Sequence, residues 1–202
     1  MKRTKEEALV TKQNLLSAAL KVFSKKGYSA TRLEDIALEA GVTRGAIYHH
    51  FGGKEALFRE LVTERSTGVN QLAENIVNEG GSPATILRRL LVRTFEYAEE
   101  DEDYRAMLEI ATEKVDFTND LEDFARQNIR GRRALIRFLT NLVREGIKTG
   151  EFRADLPVKD AAITVAGFLN GVGLLWVQDP DSFSIRRRSE AMVDVMMGGL
   201  LA

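Results

Sequence analysis

The sequence contains no cysteine and only three prolines among its 202 residues. Without thiols the chain has no disulfide, no thiolate metal ligand and no cysteine nucleophile. This composition fits the reducing cytoplasm, and the highly charged residues 2–7 do not form the apolar segment of a signal peptide. We therefore expect a cytoplasmic protein. So few prolines also permit long, uninterrupted helices.

Sequence signatures of catalysis are missing as well. The chain has no glycine-rich phosphate loop, no nucleophile elbow and no metal-ligand spacing. Its two histidines, His49 and His50, are adjacent, so on a helix they point about 100° apart and do not converge on one metal ion. We expect neither an enzyme nor a bound metal or cofactor.

The charges are distributed unevenly along the chain. Residues 1–65 carry 12 Lys/Arg and 8 Asp/Glu, a net charge of +4, whereas the remainder carries a net charge of −5. A basic N-terminal part joined to an acidic remainder directs a polyanion to the N-terminal part. The distribution therefore favours a nucleic acid as partner of the first 65 residues.

Apolar residues recur at helical spacing through nearly the whole chain, and no segment shows the alternation of a β-strand. Gly27 and Gly150 follow the ends of two predicted helices, and Ser82-Pro83 supplies an N-cap and a first-turn proline for a third. We predict an all-α fold of about nine helices.

The segment 31–51 has the spacing of a helix-turn-helix. Thr31-Arg32-Leu33-Glu34 predicts a capping box at the start of one short helix, and Thr43 predicts the cap of the next. Gly41 lies between them, where a tight turn needs a positive φ. The apolar residues spaced to form a small core are Leu33, Ile36, Val42, Ile47 and Phe51.

This core would leave one face of the second short helix in solvent, within a stretch from Thr43 to Lys54 that has no acidic residue. A short helix held by its neighbour and free of acid meets the needs of reading a major groove. A generic two-helix hairpin, the alternative, does not explain that face. The residues expected to face outward are Arg44, Gly45, Tyr48 and His49.

Motifs across this region resemble a known family. The sequence FSKKGYSAT at 23–31, Ile36-Ala37, Ala40-Gly41-Val42 and GAIYHHFGGKEAL at 45–57 are similar to the N-terminal domain of the tetracycline-repressor (TetR) family. Residues 42–48 look most like its multidrug-efflux repressor branch. The resemblance implies a DNA-binding domain at 1–52 and a helical ligand-binding and dimerisation domain at 53–202.

The resemblance further implies a homodimeric transcriptional regulator, a repressor, that binds a palindromic operator in double-stranded DNA and is released by a small hydrophobic effector. Arg44 is our candidate for base reading, because a guanidinium grips guanine with two donors; a phosphate contact is the alternative. The DNA-binding residues implied by position are Thr31, Arg32, Thr43, Arg44, Gly45, Ala46, Tyr48, His49 and Lys54.

The run Ala161–Gln178 carries no charge and contains two glycines four residues apart, which leave one helix face bare. It is similar to the dimerisation helix of the efflux-repressor branch. Burial within one subunit and insertion into a membrane are the alternatives, and we expect no membrane. The predicted dimer-interface residues are Gly167, Gly171, Leu174, Met192, Val195 and Met196.

Candidates for the effector pocket are mostly large apolar side chains, which could equally be core. Asn170 is polar within an apolar helix and needs a hydrogen-bonding partner, either a ligand or a second subunit. An alternative function is an effector-independent DNA-binding or architectural protein, which needs no cavity. The predicted ligand-binding residues are Phe95, Tyr104, Met107, Leu108, Phe117, Phe138, Phe168, Asn170 and Trp176.

Overall fold

A computed structural model of the protein describes residues 5–113 and 122–202. Within these ranges it contains ten helices and no strand, apart from one isolated antiparallel bridge between Phe152 and Leu201. The expected all-α class is confirmed. The helices are α1 (Lys5–Ala30), α2 (Leu33–Glu39), α3 (Arg44–Phe51), α4 (Lys54–Arg65), α5 (Thr67–Glu79), α6 (Pro83–Glu100), α7 (Glu102–Glu113), α8 (Glu122–Lys148), α9 (Val158–Gln178) and α10 (Ile185–Gly198).

The described helices divide into two compact units. The first contains α1–α4 and nearly all of α7, and the second contains α5, α6, most of α8, α9 and α10. By packing, α4 and α7 therefore accompany the helix-turn-helix. The predicted boundary at residue 52 separates a DNA-binding domain from a ligand-binding and dimerisation domain by function rather than by packing, and it stays a prediction.

The core of the first unit centres on three aromatic side chains. Phe58 meets Phe23 edge-on at 5.4 Å between ring centroids and meets Tyr28 at 4.9 Å. Met107 and Ile110 of α7 are buried in the same core. The kink in α1 falls at Gly27, whose φ is 74°, as its position after the predicted helix end required.

The start of α2 differs from the predicted capping box. Arg32, not Thr31, is the N-cap residue, and its backbone N–H donates to the carboxylate of Asp35 at 3.1 Å. Asp35 therefore takes the role assigned to Glu34. The hydroxyl of Thr31 donates to the carbonyl of Gly27 at 2.6 Å, because Thr31 is buried beneath the end of α1.

In the second unit α10 packs along α6. An ion pair joins Arg88 to Asp194. The carboxylate of Glu99 accepts from the Ser184 hydroxyl at 2.9 Å and from the Arg186 N–H at 3.0 Å, which satisfies one of the free backbone donors at the start of α10. Trp176 lies buried in this unit.

Candidate nucleic-acid interface

The helix-turn-helix has the core that its spacing predicted. Leu33, Ile36 and Ile47 are buried, and Val42 and Phe51 pack against them partly buried. In the turn between α2 and α3 the φ of Gly41 is 65°, where a residue with a side chain would be strained. This packing fixes the outward side of α3.

The outward side of α3 carries the residues expected there. Arg44, Gly45 and His49 are exposed, and the side chain of Tyr48 is 45 % exposed. Thr43 is the exposed N-cap residue, and Ala46 is half-buried. One turn and a half of helix thus presents polar groups without an acid among them.

Arg44 is held by contacts to two other side chains. Its Nη1 lies 2.6 Å from Glu34 Oε1, and its Nη2 donates to the Tyr48 hydroxyl at 2.9 Å. The guanidinium carbon also lies 5.3 Å from the centroid of the Tyr48 ring, within cation–π range. The hydrogen bond to Tyr48 and the charge of Glu34 raise the pKa of Arg44, so it stays charged.

The three acidic residues of α2 are each paired with a cation. Besides the Glu34 pair, Lys26 lies 2.8 Å from Asp35 and Lys21 lies 3.6 Å from Glu39. The hydrogen bonds from Lys26 and from the backbone of Arg32 lower the pKa of Asp35. Pairing keeps the acids of α2 from dominating the potential beside α3.

Two of the expected DNA-binding residues, Thr31 and Lys54, are turned toward the protein. Thr31 is 2 % exposed with its hydroxyl given to Gly27, which argues against a contact from that hydroxyl to DNA. The ammonium of Lys54 donates to the carbonyls of Thr31 at 2.8 Å and Ser29 at 3.3 Å. Lys54 therefore stabilises the end of α1 in this state, whereas Arg32 is exposed.

Known protein families match two parts of this chain. "Bacterial regulatory proteins, tetR family" matches residues 15–61, and "MAATS-type transcriptional repressor, C-terminal region" matches residues 82–201. The transcriptional regulator AcrR of Shigella flexneri is 31 % identical over 199 residues, which cover 97 % of this chain and 92 % of AcrR. The chain belongs to the TetR family.

Solved structures of TetR-family proteins have the same fold. NalD, described as the secondary repressor of the MexAB-OprM multidrug efflux pump in Pseudomonas aeruginosa, superposes with a TM-score of 0.87 at 28 % identity, covering 98 % of both chains. SmeT in complex with triclosan superposes with a TM-score of 0.81 at 24 % identity, covering 96 % of this chain and 92 % of SmeT. The predicted family and its efflux-repressor branch are confirmed, and the relatives are transcriptional regulators rather than enzymes.

The residues expected at a dimer interface share exposed surface in this TetR-family regulator. Along α9, Gly167 and Gly171 are exposed, and Leu174 and Leu175 are 38 % and 63 % exposed. On α10, Val195 is 83 % exposed and its neighbours Met192 and Met196 are half-buried. By length and composition α9 could also cross a membrane. Complete burial of α9 within one subunit, one of the alternatives, does not occur.

The predicted effector residues fall into separate groups. Phe95 and Phe168 meet edge-on at 5.7 Å in the second unit, where Trp176 is buried and Phe138 half-buried. Three others, Tyr104, Met107 and Leu108, pack against the core of the first unit. Phe117 lies outside the described residues.

Asn170 has a different environment from the one expected for a pocket residue. It is exposed between Gly167 and Gly171, and its side-chain amide donates to the carbonyl of Ala166 at 2.7 Å. The partner that a polar residue in an apolar helix needs is thus supplied by its own helix. Its position fits the exposed α9 face rather than a cavity.

The second unit also has an open groove of about 450 Å³ between α8 and α9. It contains none of the predicted effector residues. Among residues 5–113 and 122–202, no group of three His, Cys, Asp or Glu side chains could hold a metal ion. The residues lining the groove are Ile136, Arg137, Thr140, Asn141, Arg144, Val158 and Lys159.

Proposed function

We propose that this TetR-family regulator is a homodimeric repressor that inserts α3 of each subunit into the major groove of a palindromic operator and leaves it when a small hydrophobic effector binds. The observation that carries the proposal is the exposed, acid-free face of α3 opposite the buried Ile47. A rigidly backed short helix with such a face is suited to reading base edges.

Arg44 supports a base-reading role by its position and its donors. It is the first residue of α3, the end of a recognition helix that enters the groove. A guanidinium has five N–H donors, and two of them are used by Glu34 and Tyr48. The remaining donors suffice for the two-donor grip of guanine.

The exposed stripe formed by Gly167, Gly171, Leu174 and Leu175 of α9 and Val195 of α10 supports the proposal that a second subunit packs there. No atom lies within 4 Å of a β-carbon added to either glycine, so another helix can approach closely. Its approach would remove the apolar side chains of Leu174, Leu175 and Val195 from water. A matching stripe on an identical copy produces a two-fold four-helix contact. We propose this occupant rather than lipid for the stripe.

The effector role rests on the C-terminal half. Its match to a repressor C-terminal region and the paired rings of Phe95 and Phe168 support binding of a small apolar ligand there. The effector would weaken DNA binding by its higher affinity for the state that does not fit the operator. Of the predicted ligand-binding residues, Phe95 and Phe168 are the pair that we favour as contacts to the effector.

The DNA test begins by selecting duplexes from a random pool with the purified protein. Arg44→Ala combined with Tyr48→Ala should lower affinity for the selected duplex by at least about tenfold, since a good bidentate base contact is worth about 1–3 kcal/mol. Arg59→Ala is the matched control, because it removes one half-exposed cation of the first unit outside α3. Specific binding retained by the double variant would refute our placement of the reading helix.

The dimer test uses sedimentation of wild type and of Leu174→Glu with Val195→Glu. The double variant should sediment as a monomer, whereas Val77→Glu, on an exposed residue of α5, should leave the dimer intact. A monomeric wild type would overturn the proposed assembly. Flotation of the wild type with anionic phospholipid vesicles would indicate instead that lipid covers the stripe.

The effector test uses triclosan, the ligand named for the SmeT complex. Titration of the wild-type complex with its selected duplex should release the DNA, and Phe95→Leu or Phe168→Leu should shift the required concentration. Release unaffected by either substitution would remove these two residues from the site. A DNA affinity that does not change with triclosan or other small apolar compounds would favour the effector-independent alternative.

A further inference from the structure

Within residues 5–113 and 122–202, the Arg44 guanidinium hydrogen-bonds to Tyr48 on its own helix and to Glu34 on α2. Glu34 and Arg44 are ten positions apart, on α2 and α3, and both side chains are more than half exposed. An ion pair this exposed contributes little to folding stability. Its place directly beside the base-reading candidate suggests a role in DNA selection.

We propose that Glu34 is a specificity-determining residue that orients Arg44 for guanine and withholds it from phosphates. The inference rests on the proposed function of Arg44. Glu34 touches Nη1 and Tyr48 touches Nη2, so the guanidinium is fixed on two sides before DNA arrives. Donors that are already oriented lose less conformational freedom when they meet a base.

The charge of Glu34 adds a second effect. Paired with Arg44, this carboxylate offsets the positive charge that would otherwise draw the guanidinium to the phosphates of any sequence, and so weakens non-specific binding through Arg44. A free Arg44 would instead swing to a phosphate on any duplex, where it would contribute affinity without selectivity. Glu34 thus lowers non-specific affinity while it preserves the base contact.

Glu39 provides a matched control on the same helix. It carries the same charge, it is exposed, and it pairs with Lys21 at 3.6 Å rather than with a residue of α3. Glu34→Gln and Glu39→Gln change the net charge equally. Only Glu34→Gln removes the ion pair that holds Arg44, so a general charge effect and a specific contact give different results.

The experiment measures affinities for the best selected duplex and for a scrambled duplex of equal length and composition. Glu34→Gln should raise affinity for the scrambled duplex and lower the ratio of specific to non-specific affinity by about three- to tenfold, within the range of one base-contact change. Glu39→Gln should leave the ratio within about twofold. An equal fall in both variants would overturn the inference.

Salt dependence supplies a readout that a purely structural role would not move. On the scrambled duplex, Glu34→Gln should steepen the slope of log affinity against log salt by about 0.9 for each Arg44 that gains a phosphate. In the Arg44→Ala background, Glu34→Gln should change neither the affinity ratio nor that slope. An undiminished effect in that background would show that Glu34 acts through something else.

Glu34→Asp separates the contact from the charge, since the shorter side chain keeps the charge in the first turn of α2 but draws the carboxylate back from Arg44. A lower ratio in this variant, with helix content unchanged by circular dichroism, would support the orienting contact. A ratio of specific to non-specific affinity equal to that of the wild type would refute the orienting contact. Loss of selectivity in Glu34 variants is distinct from failure of the proposed function, which would appear as retained specificity in Arg44→Ala.

Discussion

Gly146, near the end of α8, packs directly against the ring of Phe152, and a β-carbon built on Gly146 would lie 2.9 Å from Phe152 Cγ and closer still to two other ring atoms. Phe152 is almost completely buried, and its N–H donates to the carbonyl of Gly146 at 3.0 Å. The ring therefore has little room to yield. The missing side chain at Gly146 leaves the space that the Phe152 ring occupies after the chain has turned at Gly150, whose φ is 75°.

We predict that Gly146→Ala destabilises the protein by about 1–3 kcal/mol, because overpacking forces the ring or the backbone to shift. Gly131→Ala is the control in the same helix, where a β-carbon meets nothing within 4 Å. That substitution should raise stability by up to about 1 kcal/mol through helix propensity. Chemical denaturation of both variants measures the difference, and an equal effect at the two glycines would contradict the packing argument.

Burial of Tyr104 predicts a loss of stability at alkaline pH. Desolvation raises the pKa of its phenol from 10.0 to about 12. The folded state therefore holds this proton more tightly than the unfolded state, so its contribution is complete below pH 10 and is lost as the pH rises toward 12. At pH 11 the loss amounts to about 1.4 kcal/mol.

Tyr104→Phe removes the titrating group and serves as the comparison. Unfolding free energies measured from pH 8 to pH 11 should fall by about 1.4 kcal/mol more for the wild type than for the variant, because only the wild type loses this contribution. Parallel curves over that range would show that Tyr104 titrates normally.

The ammonium of Lys54 ties the start of α4 to the end of α1. It donates to the carbonyls of Ser29 and Thr31 and lies 4.4 Å from the centroid of the Tyr28 ring. We predict that Lys54→Met costs about 1–2 kcal/mol, from charged hydrogen bonds and a cation–π contact. Thermal unfolding should show little change for Arg59→Met in the same helix, and equal losses would refute this role for Lys54.

Glu99 is predicted to anchor the start of α10. Its carboxylate accepts from the Ser184 hydroxyl and the Arg186 N–H, whereas Glu96 on the same helix pairs with Arg93 one turn away. Glu99→Gln should lower the unfolding free energy by about 1 kcal/mol, as the loss of a helix cap does. Glu96→Gln should change it by less than about 0.5 kcal/mol, and the reverse order would contradict the capping role.

Local sequence pattern anticipated much of the fold because helix periodicity and helix ends depend on residues close in the chain. The buried Leu33, Ile36 and Ile47, the turn at Gly41 and the N-cap at Ser82 follow their predictions. The family could likewise be recognised from the residues around α3. The start of α2 was predicted wrongly at Thr31, because Thr31 is buried and the N-cap residue is Arg32.

The sequence by itself determined an all-helical TetR-family regulator with a basic, acid-free outward face on α3. Only the tertiary structure decided that Lys54 turns to the end of α1, that Asn170 lies on an exposed face and that Glu34 meets Arg44. The physical reason is distance along the chain. Periodicity and capping act within about one helical turn, whereas these contacts depend on how separate helices pack and on which surface water or a second subunit covers.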